Sequence, residues 1–164
     1  TLNVQWMIEL IEFFNVYIAD YPKALQYCNR ALNISLNQYG EMHNATATIY
    51  SLVGEVYFSV GDFKKTLDYF EKIRVIREQL LDEMHMDRAE IYANIGGIYA
   101  MYNKIDSAMI YYDKSLSIYA SMQDPMQDPK TAKDLATLYN NIGYLYCYYV
   151  LIVTFKFFCR NLRT

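Results

Sequence analysis

A nine-residue phrase recurs three times along the chain: IYSLVGEVY at Ile49–Tyr57, IYANIGGIY at Ile91–Tyr99 and LYNNIGYLY at Leu138–Tyr146. A repeat constrains the fold more than any other feature. Each unit leaves an apolar face that only a neighbouring unit can bury, so the units must stack. The first two copies start 42 residues apart and the last two 47. The excess coincides with MQDPMQDP, Met122–Pro129, a tandem duplication that reads as a loop insertion. The 42-residue period also relates GEMH (Gly40–His43) to DEMH (Asp82–His85), Ala24 to Thr66 and Ala108, and Cys28 to Phe70 and Tyr112.

Within a unit the spacing is helical. Tyr92, Ile95, Tyr99 and Tyr102 fall on one helix face, and Leu67, Phe70, Ile73 and Ile76 on another. Turns lie between them at Gly61-Asp62 and at Asn103–Asp106, where Asp62 and Asp106 are expected as N-caps. Upstream, Asn3–Tyr17 stands in the place of a first helix, with Glu12 where later units have glycine. Pro22 follows Asp20 just inside the next helix.

These residues resemble the tetratricopeptide repeat (TPR) family, in the longer-period form of kinesin light chains. The first-helix pattern is met by Tyr50/Gly54/Tyr57, Tyr92/Gly96/Tyr99 and Tyr139/Gly143/Tyr146. The second-helix pair is met by Ala108/Tyr112 and more loosely by Thr66/Phe70 and Ala24/Cys28. YGEMHNATA echoes the inter-repeat segment of kinesin light chains, with Asn44 and Met86 in place of proline and Asp82 in place of glycine. The resemblance implies an all-α, right-handed superhelix of antiparallel helix pairs, an α-solenoid of about three and a half repeats. The expected organisation is a degenerate first repeat over 1–44, repeats over 45–86 and 87–134, and a first helix over 135–149. An apolar tail follows over 150–164, as a capping helix or an aberrant end. The chain starts at Thr1 and reads as part of something longer.

The resemblance also implies a function: a scaffold or adaptor whose first helices line a peptide-binding groove. By register the groove residues are Thr48, Ser51, Leu52, Glu55 and Ser59 from one repeat. The next repeat supplies Glu90, Asn94, Gly97 and Met101, and the last Thr137, Asn140, Asn141, Tyr144 and Tyr148. Asn94 and Asn141 match the family's recurrent groove asparagine, whose amide can bond a peptide backbone. None of these positions is basic, so capture of an acidic C-terminal tail is not expected. Neutral, aromatic or weakly basic peptides fit better.

Other chemistries find less support. The charge is −3 and no basic run exceeds Lys64-Lys65, which argues against nucleic acid. NIGGIY is not a phosphate-binding glycine loop. His43 and His85 occupy equivalent loops and read as a repeated structural motif, not a metal site. Cys28 lies on a packing register, and Cys147 has no histidine partner by sequence, so no catalytic thiol is expected. The three cysteines, with Cys159, lack a disulfide or CxxC spacing, and a reducing, cytoplasmic setting fits. The sequons Asn33-Ile34-Ser35 and Asn44-Ala45-Thr46 read as chance. No enzyme activity, cofactor, metal or small-molecule substrate is expected of these residues. Alternatives are a regulatory segment of a larger protein, enzymatic or otherwise, or a repeat protein anchored in a membrane by the apolar tail over 150–164. The first half of the uncharged run Leu135–Phe155 already reads as a repeat helix, however, and a membrane is not the expected partner.

Overall fold

A computed structural model describes residues 4–122, 124 and 126–161. Asn3 at the start of the expected first helix, Gln123 and Pro125 of the insertion, and the last three tail residues lie outside the described residues. The described residues form seven α-helices: α1 (Val4–Glu12), α2 (Tyr21–Tyr39), α3 (Asn44–Val60), α4 (Phe63–Leu80), α5 (Met86–Met101), α6 (Ile105–Ala120) and α7 (Pro129–Asn161). A π-helical turn, Phe13–Tyr17, extends α1. No strand occurs among the described residues. The fold is all-α, built of helix pairs in about three and a half repeats.

The chain divides into two compact units, Thr1–Ile91 and Tyr92–Thr164. In the first unit α1 packs on α2, α2 on α3 and α3 on α4. Its core gathers Met7, Ile11, Ala24, Cys28, Ala31, Ile49, Leu52, Val53 and Val56. The small residues of α2 let α1 and α3 approach on either side. In the second unit Tyr112 of α6 lies against Gly96 of α5, and α6 packs on α7.

The repeat is visible in its aromatic contacts. Phe14 stacks on Tyr27 at 5.7 Å, Tyr57 on Tyr69 at 5.8 Å and Tyr99 on Tyr111 at 5.5 Å. Each pair joins a first helix, or its extension, to the second helix of its repeat, and a lysine ammonium sits over the first ring of each. These are Lys23 over Phe14, Lys65 over Tyr57 and Lys104 over Tyr99. Tyr27, Tyr57, Tyr69, Tyr99 and Tyr111 thus serve as half-buried mortar between paired helices.

Turn chemistry matches the sequence at one position and departs from it at the next. Asp62 Oδ1 accepts from the Lys65 N–H at 3.1 Å, a bond that holds its carboxyl below the usual range. Asp106 is not the N-cap of α6. Lys104 holds that position, without a side-chain bond, and Asp106 lies in the first helical turn. The preceding Asn103 takes φ 57°, standing in for Gly61 at φ 82°. The turn therefore keeps its geometry, and the cap position stays two residues before Asp106.

Helix α7 begins at Pro129, ahead of the expected 135. Asp128 Oδ2 accepts from the Thr131 N–H and its hydroxyl, both at 2.7 Å, so the second copy of the duplication caps the helix. The helix then runs unbroken to Asn161. No helix of the described residues is long and apolar enough to cross a membrane.

The hydroxyls of the two sequons are used internally. Ser35 and Thr46 are buried and share a hydrogen bond of 2.9 Å between α2 and α3, and Thr46 donates to the Gly40 carbonyl at 2.7 Å. Burial also pushes the Cys28 thiol from 9.0 to about 12, with Glu55 adding repulsion. Tyr50 is raised from 10.0 to about 12, by burial first and then by Glu41. In the unfolded chain these groups ionise at their ordinary values, so the folded state binds more protons at alkaline pH. Their contribution is complete below pH 9 and is lost as pH rises towards 12. Thermal melts followed by circular dichroism should be flat through neutral pH and fall steadily above pH 9. Cys28→Ala should remove the thiol's share of that fall.

Candidate functional site

In the first unit, the candidate positions of α3 present Thr48, Glu55 and Ser59 as exposed and Ser51 as half-buried. The hydroxyls of Thr48 and Ser59 donate to the Asn44 and Glu55 carbonyls one turn back, at 3.1 and 3.0 Å. Both oxygens keep acceptor capacity for a ligand. Leu52 is a correction. It is buried with Met7 and Ile11, because α1 needs cover for its own apolar face and takes it against α2 and α3. It belongs to the core and cannot touch a peptide.

Glu55 is the electrostatic centre of this patch. It is exposed, yet its carboxyl is pushed above the usual range. Loss of hydration to surrounding protein is the main cause, and the carboxylates of Glu12 and Glu90 add to it. Glu90 is half-buried and lies 4.0 Å from the Arg77 guanidinium, so it is partly neutralised. Glu12 was not among the positions expected from the register. It stands where other first helices have glycine, and that displaced acidic residue was the available signal.

In the second unit, Asn94 and Met101 of α5 are exposed and Gly97 is half-buried. On α7, Thr137, Asn140, Tyr144 and Tyr148 are exposed and Asn141 is half-buried. Thr137 donates to the Lys133 carbonyl at 2.9 Å. Tyr144 is 74% exposed.

Both histidines are structural. His43 Nδ1 accepts from the Ala45 N–H at 3.0 Å at the start of α3, with its ring stacked on Tyr39 at 4.6 Å. His85 Nδ1 accepts from the Asp87 N–H at 3.1 Å at the start of α5. Each caps the helix that opens a repeat, which accounts for their spacing. Among the described residues no cluster of three His, Cys, Asp or Glu is placed to hold a metal ion.

The same architecture is found in known proteins. The tetratricopeptide repeat model matches residues 16–73 and 46–121. A search of curated proteins finds no match. Among solved structures, BtubC (BKLC) from P. vanneervenii is similar with a TM-score of 0.69 and 20% identity, over 87% of this chain and 57% of that one. The present chain therefore spans little more than half of BtubC. A Podosopora anserina protein described as a kinesin light chain with nearly identical TPR-like repeats has a TM-score of 0.70 and 15% identity. That match covers 85% of this chain and 67% of that one. A point variant of the Podosopora anserina protein is equally similar, with a TM-score of 0.70 and 15% identity. At these identities the likeness speaks for the fold, whereas the family model covers most of the repeat array. The chain belongs to the tetratricopeptide repeat family.

Proposed function

We propose that the chain is a protein–protein interaction module, a scaffold or adaptor that holds a partner peptide against its first helices. TPR folds generally mediate protein–protein contacts, and the kinesin-light-chain-like structures above share this architecture. The observation that carries the reading is the repeat-family match together with the exposed first-helix positions Thr48, Glu55 and Ser59 on α3 and Asn94 and Met101 on α5. The Glu55 carboxyl is raised by loss of hydration and by the carboxylates of Glu12 and Glu90, so the charge of a peptide lysine or arginine offsets that repulsion. In the second unit, the amides of Asn94 and Asn141 supply backbone hydrogen bonds, and Met101 and Tyr144 supply adaptable apolar contact. The peptide is thus extended, aromatic and weakly basic, and the module works in the cytoplasm.

Fluorescence anisotropy against a library of labelled twelve-residue peptides tests this. Sequences that combine Lys or Arg with aromatics should be retained. Asn94→Ala combined with Asn141→Ala should weaken their capture by about 5- to 10-fold, the loss of one or two hydrogen bonds of ~0.5–1.5 kcal/mol. Helicity should not change. Glu55→Gln should remove the preference for basic sequences, and binding should weaken as pH falls through the Glu55 range. Capture that is indifferent to all three substitutions would sink the assignment.

A further inference from the structure

Three helices carry the same register of tyrosine, glycine and tyrosine, and two of them already hold a partner helix. A Cβ placed on Gly54 of α3 would stand 2.7 Å from Cε1 of Phe70 on α4. One placed on Gly96 of α5 would stand 2.7 Å from two ring carbons of Tyr112 on α6. The tyrosines one turn before these glycines are covered, Tyr50 to 3% exposure and Tyr92 to 5%. A lysine completes each interface. Lys72 Nζ lies 5.0 and 5.4 Å from the rings of Tyr50 and Tyr69, and Lys114 Nζ lies 5.4 and 5.3 Å from those of Tyr92 and Tyr111. The inserted helix is therefore defined by Tyr–aromatic–x–Lys, met by Tyr69-Phe70-Glu71-Lys72 and Tyr111-Tyr112-Asp113-Lys114.

Helix α7 repeats the receiving half of this interface with its face open. Leu138 and Leu145 are buried, as are Ile49 and Val56 in the same register on α3. Tyr139, however, is 59% exposed and Tyr146 is 55% exposed. Among the described residues, no atom beyond its own helical turn and chain neighbours lies within 4 Å of a Cβ on Gly143. Because α7 continues as helix to Asn161, residues 150–161 do not turn back over this face.

We propose that the Tyr139–Gly143–Tyr146 face of α7 docks an amphipathic helix of another polypeptide carrying a Tyr–aromatic–x–Lys run. Two internal copies of the interface specify the occupant. The aromatic ring fills the space over Gly143, the preceding tyrosine stacks on Tyr146, and the lysine ammonium covers the π faces of Tyr139 and of the occupant's own tyrosine, as Lys72 does for Tyr50 and Tyr69. From Leu135 to Phe155 the helix has no charged side chain, so a cation meets electron-rich rings and no competing ammonium. A second copy of this chain is a poorer occupant, since its own Tyr–aromatic–x–Lys runs are committed to α3 and α5.

The probe is a capped, labelled peptide of residues 104–120, the chain's own α6, titrated into the full chain. It should bind, and Gly143→Ala in the chain should weaken binding at least tenfold by closing the space over the glycine. In the peptide, Tyr112→Ala or Lys114→Glu should do the same. The melting temperature of Gly143→Ala should be no lower than that of the parent, which separates lost docking from lost folding. Binding that responds to Gly96→Ala but not to Gly143→Ala would mean displacement of the chain's own α6, and would overturn the proposal. So would no binding, or an α7-mediated dimer in sedimentation that the peptide fails to dissociate.

Discussion

Replacing Tyr112 with alanine is expected to lower stability by about 3–5 kcal/mol, the range for deleting a large, fully buried aromatic side chain. Tyr112 is 1% exposed, and its ring fills the space that Gly96 leaves on α5. The glycine has no side chain to relax into the vacated volume, so the cavity term is large. The phenol is also held above its ordinary pKa by burial. Tyr112→Phe keeps the ring and should cost far less. Tyr111→Ala should be intermediate, because Tyr111 is only half-buried in its stack with Tyr99. Urea denaturation followed by circular dichroism gives the comparison. In a repeat array stability resides in neighbour contacts, so the Tyr112→Ala transition should also broaden as α5 and α6 part before the rest. A loss no larger than that of an exposed substitution would refute this role.

The fold was legible because the repeat writes its packing into the sequence. Glycine recurs where a second-helix aromatic crosses, and the pairing of Gly54 with Phe70 and of Gly96 with Tyr112 follows from one period. What escaped were features set by neighbours outside the period. Leu52 has the register of an exposed position, yet α1 covers it, and nothing in α3 announces that cover. Glu12 entered the acidic patch from a degenerate repeat. There Glu12 holds the glycine position and Cys28 that of Phe70 and Tyr112, so the pattern is lost. Asp106 failed as a cap because an acidic residue near a turn satisfies the motif at several offsets, whereas the backbone fixes only one. The start of α7 at Pro129 was hidden by the duplication, whose two copies offer the same Asp-Pro start signal. Exposure of the remaining first-helix positions follows helical register, but their use by a partner depends on a molecule the sequence does not contain.

Gly96→Ala should destabilise the chain by about 1–2 kcal/mol, although helix propensity alone argues the opposite. Alanine in a helix interior gains roughly 1 kcal/mol over glycine. Against this, the new methyl would meet two Tyr112 ring carbons at 2.7 Å and the Ala108 carbonyl oxygen at 3.2 Å. Tyr112 is wholly buried and the carbonyl belongs to the backbone of α6, so neither yields cheaply. Overpacking of this kind costs about 1–3 kcal/mol, with more when the neighbour cannot rotate away. Gly54→Ala should behave alike, since its methyl would lie 2.7 and 3.0 Å from the ring of Phe70. Gly143→Ala should reverse the sign and gain up to about 1 kcal/mol, because its helix face is open. Three glycines in one register thus give two losses and one gain when melted side by side. A gain at all three would mean that propensity, and not helix–helix contact, governs the position.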